Sequence, residues 1–334
     1  MTQAAYINAI SYYLPEANLS NEVLNLKFPD WSVDKIASKT GIFSRKIAGE
    51  NEFASDLAVK AANLLFEEYA IAPESIDFLI YCTQSPDYFL PTTACILQHK
   101  LGLSTSAGAF DFNLGCSGYV YGLGIAKSLV VSGVAKKILL ITAETYSKFI
   151  HPHDKSNLTI FGDAAAATLV SNQEGPLSIG EFIFGTDGSG AENLIVKNGG
   201  IKNLHKKGED IYNDHLFVRN DDNLYMNGSE IFNFTTKAVP NLVQKVIEKN
   251  QTHLDAIDMF IFHQANKYML DFIRKKIGIP SEKFFIHLQD CGNTVSSTIP
   301  IAIKEYQKDT DINKQKVLLA GFGVGYSWAG CVLN

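Results

Sequence analysis

The feature that most constrains this chain is an internal echo at an offset of roughly 180, about half its length. SIDFLIYCTQ (75–84) resembles AIDMFIFHQA (256–265), LQHKLGLS (97–104) resembles IRKKIGIP (273–280), and KKILLITAE (136–144) resembles QKVLLAGFG (315–323). Three matches in the same order predict a duplicated unit. Within each half, apolar runs bounded by turn residues predict buried strands at Phe78–Tyr81, Ile138–Thr142, Met259–Phe262 and Val317–Ala320. Helical spacing of apolar residues predicts helices over 54–69 and 117–131, the second stopping at Gly133. Strand–helix alternation predicts an α/β fold with mostly parallel sheets. The halves are placed at 1–172 and 173–334, packed tightly together. Residues 185–230, rich in Gly, Asn, Asp and Lys, are expected to form a surface excursion before the second core unit.

With 334 residues and 46% hydrophobic content, the chain can bury a sizeable core. A net charge of −6 argues against broad nucleic-acid binding. No apolar run reaches the about 18 residues of a membrane span, and the N-terminus resembles a first strand more than a signal peptide. The five cysteines (82, 95, 116, 291 and 331) are odd in number and include no CxxC. They suggest reduced thiols in a cytoplasmic protein, with no disulfide framework and no Cys-type zinc site. His151 and His153 form an HPH pair without a third ligand, so no metal site is assigned.

Cys116 stands between a strand-like run (109–112) and a helix. A thiol at a helix N-terminus faces unpaired amides and the positive end of the helix dipole, which favours thiolate. Gly115 and Gly118 leave room for a bulky thioester. His263 directly follows the strand Met259–Phe262, at the end where α/β folds place their sites. Asn293 lies 177 residues after Cys116, close to the repeat offset, so duplication places the two at equivalent junctions. The run LLAGFGVGYSWAG lacks dinucleotide spacing and suits a Gly-rich turn between strands.

Taken together, DKIASKTGIFSRKIA (34–48), SPDYFLPTTACILQHKLGL (85–103), CSGYVYGL (116–123), FGDAAAATLV (161–170), HQAN (263–266), GNTVSSTIP (292–300) and GFGVGYSWAG (321–330) resemble the β-ketoacyl-acyl carrier protein synthase III group of the thiolase superfamily. The resemblance covers nearly the whole chain. It implies a duplicated thiolase-like fold, a five-layered α-β-α-β-α sandwich, and a Cys-His-Asn triad of Cys116, His263 and Asn293. The implied reaction is decarboxylative Claisen condensation in fatty acid or related lipid and polyketide synthesis. An acyl thioester, on coenzyme A or a carrier protein, loads Cys116. Malonyl-acyl carrier protein then loses CO₂, with His263 and Asn293 stabilising the enolate. Backbone amides of Cys116 and Val324 form the acyl-side oxyanion hole.

The resemblance further implies coenzyme A contacts at Lys39, Thr40 and Lys155, and carrier-protein docking at Arg274, Lys275 and Lys276. It also implies a homodimer, and no permanently bound cofactor beyond thioester and phosphopantetheine-carried substrates. Several positions depart from the family pattern. Val324 replaces a glycine, Lys35 and Tyr268 stand where an adenine-gripping Trp and Arg are usual, and Trp31 lies close enough to substitute. Leu90 replaces a Phe that closes the partner's acyl pocket, which predicts acceptance of chains longer than acetyl. The alternative is an acyltransferase of the same fold that esterifies an alcohol or amine. Asn293 argues against it, because enolate stabilisation is its role. A thiolase would need a second Cys in the late Gly-rich loop, and a non-catalytic carrier-binding module would not need all three triad positions filled.

Overall fold

A computed structural model describes residues 4–313 and 315–334. Ten strands form one hydrogen-bonded sheet: β1 (Tyr6–Tyr13), β2 (Phe78–Cys82), β3 (Gly108–Phe112), β4 (Lys137–Glu144), β5 (Ala164–Ser171), β6 (Leu177–Thr186), β7 (Met259–Phe262), β8 (Phe284–Phe285), β9 (Val317–Gly323) and β10 (Ser327–Leu333). Their spatial order is 3-2-4-5-1-6-10-9-7-8. The second five repeat the permutation of the first, outward from the centre. Strand directions repeat as well: β2–β3 and β2–β4 are parallel, as are β7–β8 and β7–β9, while β4–β5–β1 and β9–β10–β6 are antiparallel. Only two pairs, Tyr6↔Ser178 and Ile7↔Leu177, join β1 to β6.

The sheet is therefore mixed, where mostly parallel sheets were expected. The reason is visible at β9–β10. Three residues, 324–326, connect them, and a parallel crossover needs about a dozen.

The principal helices are α1 (Val33–Thr40), α2 (Ala54–Glu68), α3 (Thr93–Lys100), α4 (Gly118–Val131), α5 (Gly228–Lys249), α6 (Lys267–Ile277) and α7 (Thr298–Asp309). α2 and α3 cover the outer face of the first five strands, α5 and α6 that of the second five, and α4 and α7 lie between. These are five layers, α-β-α-β-α. α4 is apolar around most of its circumference because strands flank it on both sides. A Cβ at Gly118, its first residue, would fall 2.3 Å from Cys82 Sγ, so the helix meets β2 at the end that presents Cys116.

The 185–230 segment is more than a surface excursion. Leu194–Ile195 pairs with Tyr225–Met226, and Leu194 and Leu224 are buried against the second core. Among the described residues, no helix is long and apolar enough to cross a membrane.

Candidate active site

Cys116 precedes α4 by two residues and is 7% exposed. His263 follows β7, held there by a 2.8 Å bond from its N–H to the Ala320 carbonyl. Asn293 sits in the turn before α7. Its N–H donates to Ile160 O (2.9 Å), and its carbonyl accepts the Gly162 N–H (3.0 Å). All three side chains line one cavity of about 140 Å³, together with Phe161, Phe322 and Gly323. A Cβ at Gly323 would lie 2.7 Å from Cys116 Cβ and 2.8 Å from Sγ, so glycine is the only residue that lets β9 pass the nucleophile unmoved.

The Asn293 amide has one fixed orientation. Oδ1 accepts the Val295 N–H at 2.9 Å, which leaves Nδ2 3.5 Å from His263 Nε2 and aimed into the cavity. Val295 holds φ at +55°, a left-handed conformation costly for a β-branched residue. His263 Nδ1 faces Thr298 Oγ1 at 2.8 Å. Burial drives the imidazole down to about 3, partly offset by the Val295 backbone, so the ring is neutral at working pH. The Thr298 hydroxyl also has the Val295 carbonyl in reach, at 3.0 Å. When it donates to Nδ1 instead, the ring proton resides on Nε2, facing the cavity.

The other residues of HQAN build the bend. Gln264 accepts the His287 N–H (2.8 Å) and donates to Phe262 O (2.6 Å). Asn266 caps α6 by accepting the Met269 N–H (2.9 Å).

The thiol differs from the thiolate expected from a helix start. Burial, reinforced by the Glu144 carboxylate, pushes Cys116 up to about 12. Backbone hydrogen bonds from Val324 and from Cys116 itself act in the opposite direction. These are the two amides that the resemblance implies as an oxyanion hole.

Other expected residues fare differently. Lys39 and Lys155 converge on Trp31, with Nζ 5.7 and 4.8 Å from its ring centre. Thr40 is buried and its hydroxyl is spent on α1, donating to Ile36 O (2.8 Å) and accepting the Ile42 N–H (3.1 Å), so it offers nothing to a ligand. Leu90 does not line this chain's Cys116 cavity. It is 82% exposed at a loop tip beside Tyr88 and Phe89, themselves 63% and 72% exposed. Arg274 turns inward, donating to Ile279 O at 2.9 Å past the end of α6, and Lys276 donates to Thr236 O at 2.8 Å. Lys275 remains outward and lines a surface cavity of about 610 Å³ with Lys267, Tyr268 and Phe272. The HPH pair gains a neighbour in Asp210, 3.4 Å from His151 Nε2. His151 Nδ1 accepts the His153 N–H (3.1 Å), so the neutral ring carries its proton on Nε2, which suits donation to Asp210 better than metal ligation.

Sequence reasoning missed Glu144, Thr298 and the Gln84–Tyr146 pair. The one available signal was an acidic residue ending the apolar run KILLITAE. Tyr146 donates to Gln84 Oε1, and both border an open cavity of about 670 Å³ with Val324 and Leu194. Leu194 also lines the Cys116 cavity.

Comparison with known proteins decides the family. The family model for 3-oxoacyl-[acyl-carrier-protein] synthase III matches residues 110–188, and that for its C-terminal part matches 247–334. β-Ketoacyl-[acyl-carrier-protein] synthase III of Clostridium perfringens is 36% identical over 323 residues, covering 96% of each chain. This chain belongs to the β-ketoacyl-[acyl-carrier-protein] synthase III family. The Caldanaerobacter subterraneus member is 36% identical over 333 residues, covering 99% of this chain and 98% of its own. Among solved synthase III structures, a 3-oxoacyl-(acyl-carrier-protein) synthase III is 49% identical with a TM-score of 0.96, covering 99% of both chains. A 3-oxoacyl-(acyl-carrier protein) synthase from Burkholderia xenovorans is 37% identical with a TM-score of 0.90, covering 99% of this chain and 94% of its own. The synthase III fold therefore spans nearly the whole chain.

Proposed function

We propose that this chain catalyses decarboxylative Claisen condensation of an acyl thioester with malonyl-acyl carrier protein, giving a 3-oxoacyl-acyl carrier protein. The observation that carries the reading is one cavity lined by Cys116, His263 and Asn293, with the Asn293 amide locked as a donor. Cys116 sulfur attacks the acyl carbonyl and the thioester C–S bond breaks. The thiol proton leaves with the departing thiol. The Cys116 and Val324 amides receive the tetrahedral oxygen. The malonyl C–CO₂ bond then breaks, and its electron pair delocalises onto the thioester oxygen. Asn293 Nδ2–H and His263 Nε2–H stabilise that enolate. Its carbon attacks the acyl group, and Cys116 leaves as thiolate and takes up a proton from solvent, which restores the thiol for the next turnover. Simple transfer to an alcohol would leave the fixed Asn293 donor without a role.

Trp31, flanked by Lys39 and Lys155, is a fitting platform for a nucleotide-bearing thioester such as coenzyme A. The exposed Tyr88–Leu90 loop is assigned to a homodimer interface, where its apolar surface would be covered. The cavity bordered by Gln84 and Tyr146 offers space for acyl chains longer than acetyl.

Incubation with acyl-CoA of graded length should give Cys116 adducts by intact mass, with chains beyond acetyl among them. Malonyl-acyl carrier protein should then release CO₂ and yield a 3-oxoacyl product. Acylation without condensation would support the acyltransferase alternative, and exclusive acetyl loading would refute the longer-chain expectation.

Docking of an acidic carrier protein is assigned to Lys275 and its cavity. Lys275→Glu should raise KM for malonyl-acyl carrier protein severalfold, with the gap to wild type narrowing at high salt. Arg274→Glu should instead lower the melting temperature, because Arg274 closes the end of α6. Equal KM effects from both variants would contradict this division.

A further inference from the structure

The C-terminal end of β4 carries a carboxyl group that the chemistry above leaves unused. Glu144 has no exposed surface. The Gln84 backbone N–H lies 3.1 Å from both carboxyl oxygens. The Ser85 hydroxyl donates to Oε2 at 2.9 Å, and the Ser296 hydroxyl to Oε1 at 3.2 Å. These donors come from opposite halves of the fold. Gln84 and Ser85 follow β2, and the Gln84 side chain reaches the nucleophile's neighbour: a Cβ at Gly115 would lie 2.5 Å from Gln84 Oε1. Ser296 belongs to the Val295–Ser297 turn, three residues after Asn293 and two before the Thr298 that orients His263.

We propose that Glu144 is a positioning residue that ties the Gln84 loop to the Asn293 turn across Cys116, holding nucleophile and enolate donors in one register. The inference rests on the condensing reading for its kinetic part. A buried carboxyl is costly unless its lone pairs are satisfied, and here three donors from two active-site segments converge on it. Burial, with the nearby Asp163, pushes it up to about 8, and the three donors oppose this. The titratable groups coupled to it are Tyr81, Cys82, Cys116, Tyr146 and Asp163, all acids. An uncharged side chain would be cheaper here if filling space were the only task. Thr142 makes a neighbouring tie of the same kind, its hydroxyl 2.9 Å from that of Ser297, so the end of β4 clamps the turn at two points.

The test uses Glu144→Gln and Ser296→Ala in the full-length protein. Ser296→Ala releases only the Asn293 side. It should slow malonyl-acyl carrier protein decarboxylation about tenfold and change Cys116 acylation less than about twofold. Glu144→Gln should slow both steps about tenfold or more. It should also move alkylation of Cys116 by iodoacetamide to lower pH, because the carboxylate charge that raises the thiol is gone. Equal slowing of both steps by Ser296→Ala, or an unshifted alkylation profile in folded Glu144→Gln, would overturn the proposal. Wild-type protein that acylates but never decarboxylates malonyl-acyl carrier protein would defeat the condensing reading instead, and the alkylation profile would still report on Glu144. If Glu144→Gln fails to fold, the Ser296→Ala split decides.

Discussion

Replacement of Cys116 by Ala is expected to abolish acyl loading and to lower condensation by at least about 10³-fold, with the melting temperature nearly unchanged. The stability part follows from size and surroundings. The side chain is small, and removing one sulfur beside Gly323 leaves a void next to an existing cavity. The activity part follows from geometry, because no other cysteine reaches that cavity among the described residues. Cys82 lies behind α4, with Sγ 3.1 Å from Leu114 O, and Cys331 is buried on β10. Intact mass after incubation with acyl-CoA checks the first claim, and carbon–carbon product formation the second. An acyl adduct persisting in Cys116→Ala would contradict both. The wild-type thiol also has a defined pH signature. It is pushed up to about 12, so its alkylation should keep rising across about pH 7–9 with no plateau. An unshifted cysteine would begin to level off near its pKa of about 8.5.

That elevation marks where sequence reasoning stopped. A thiol two residues before a helix was legible, and so was the argument for thiolate. Glu144 lies 28 positions from Cys116, and its partners Gln84, Ser85 and Ser296 lie 60, 59 and 152 residues from it. Only the folded chain brings them together. The duplication was legible because both halves spell strand, helix and strand with similar words, and the repeated strand permutation explains why. The antiparallel strands were missed although the short 324–326 connection implied the last of them. Resemblance assigns Thr40 to coenzyme A and Arg274 to the carrier protein, but the Thr40 hydroxyl is spent on its own helix end and Arg274 gives one N–H to the Ile279 carbonyl past the end of α6. Such local use depends on χ angles and on which carbonyls are left bare.

Alanine at His263 or Asn293 is expected to separate the two half-reactions. Each variant should still form the acyl-Cys116 adduct. Each should lose about 10²–10³-fold in malonyl-acyl carrier protein decarboxylation, the usual cost of one preorganised oxyanion donor. The two donors share one oxygen, so the double variant should lose far less than the product of the single losses. His263 must stay neutral in this role. Its pKa is depressed to about 3, well below the value of an exposed imidazole, so the folded state holds fewer protons than the unfolded state between about pH 6.5 and 3. Stability from this site is therefore fully present above about 6.5 and lost as pH falls through that window. His263→Asn should flatten that part of the stability–pH curve, whereas Asn293→Ala should leave it in place. Thermal melts at stepped pH separate the two variants, and CO₂ release by each measures its donor. Equal losses in acylation and decarboxylation would show that His263 and Asn293 serve the nucleophile rather than the enolate.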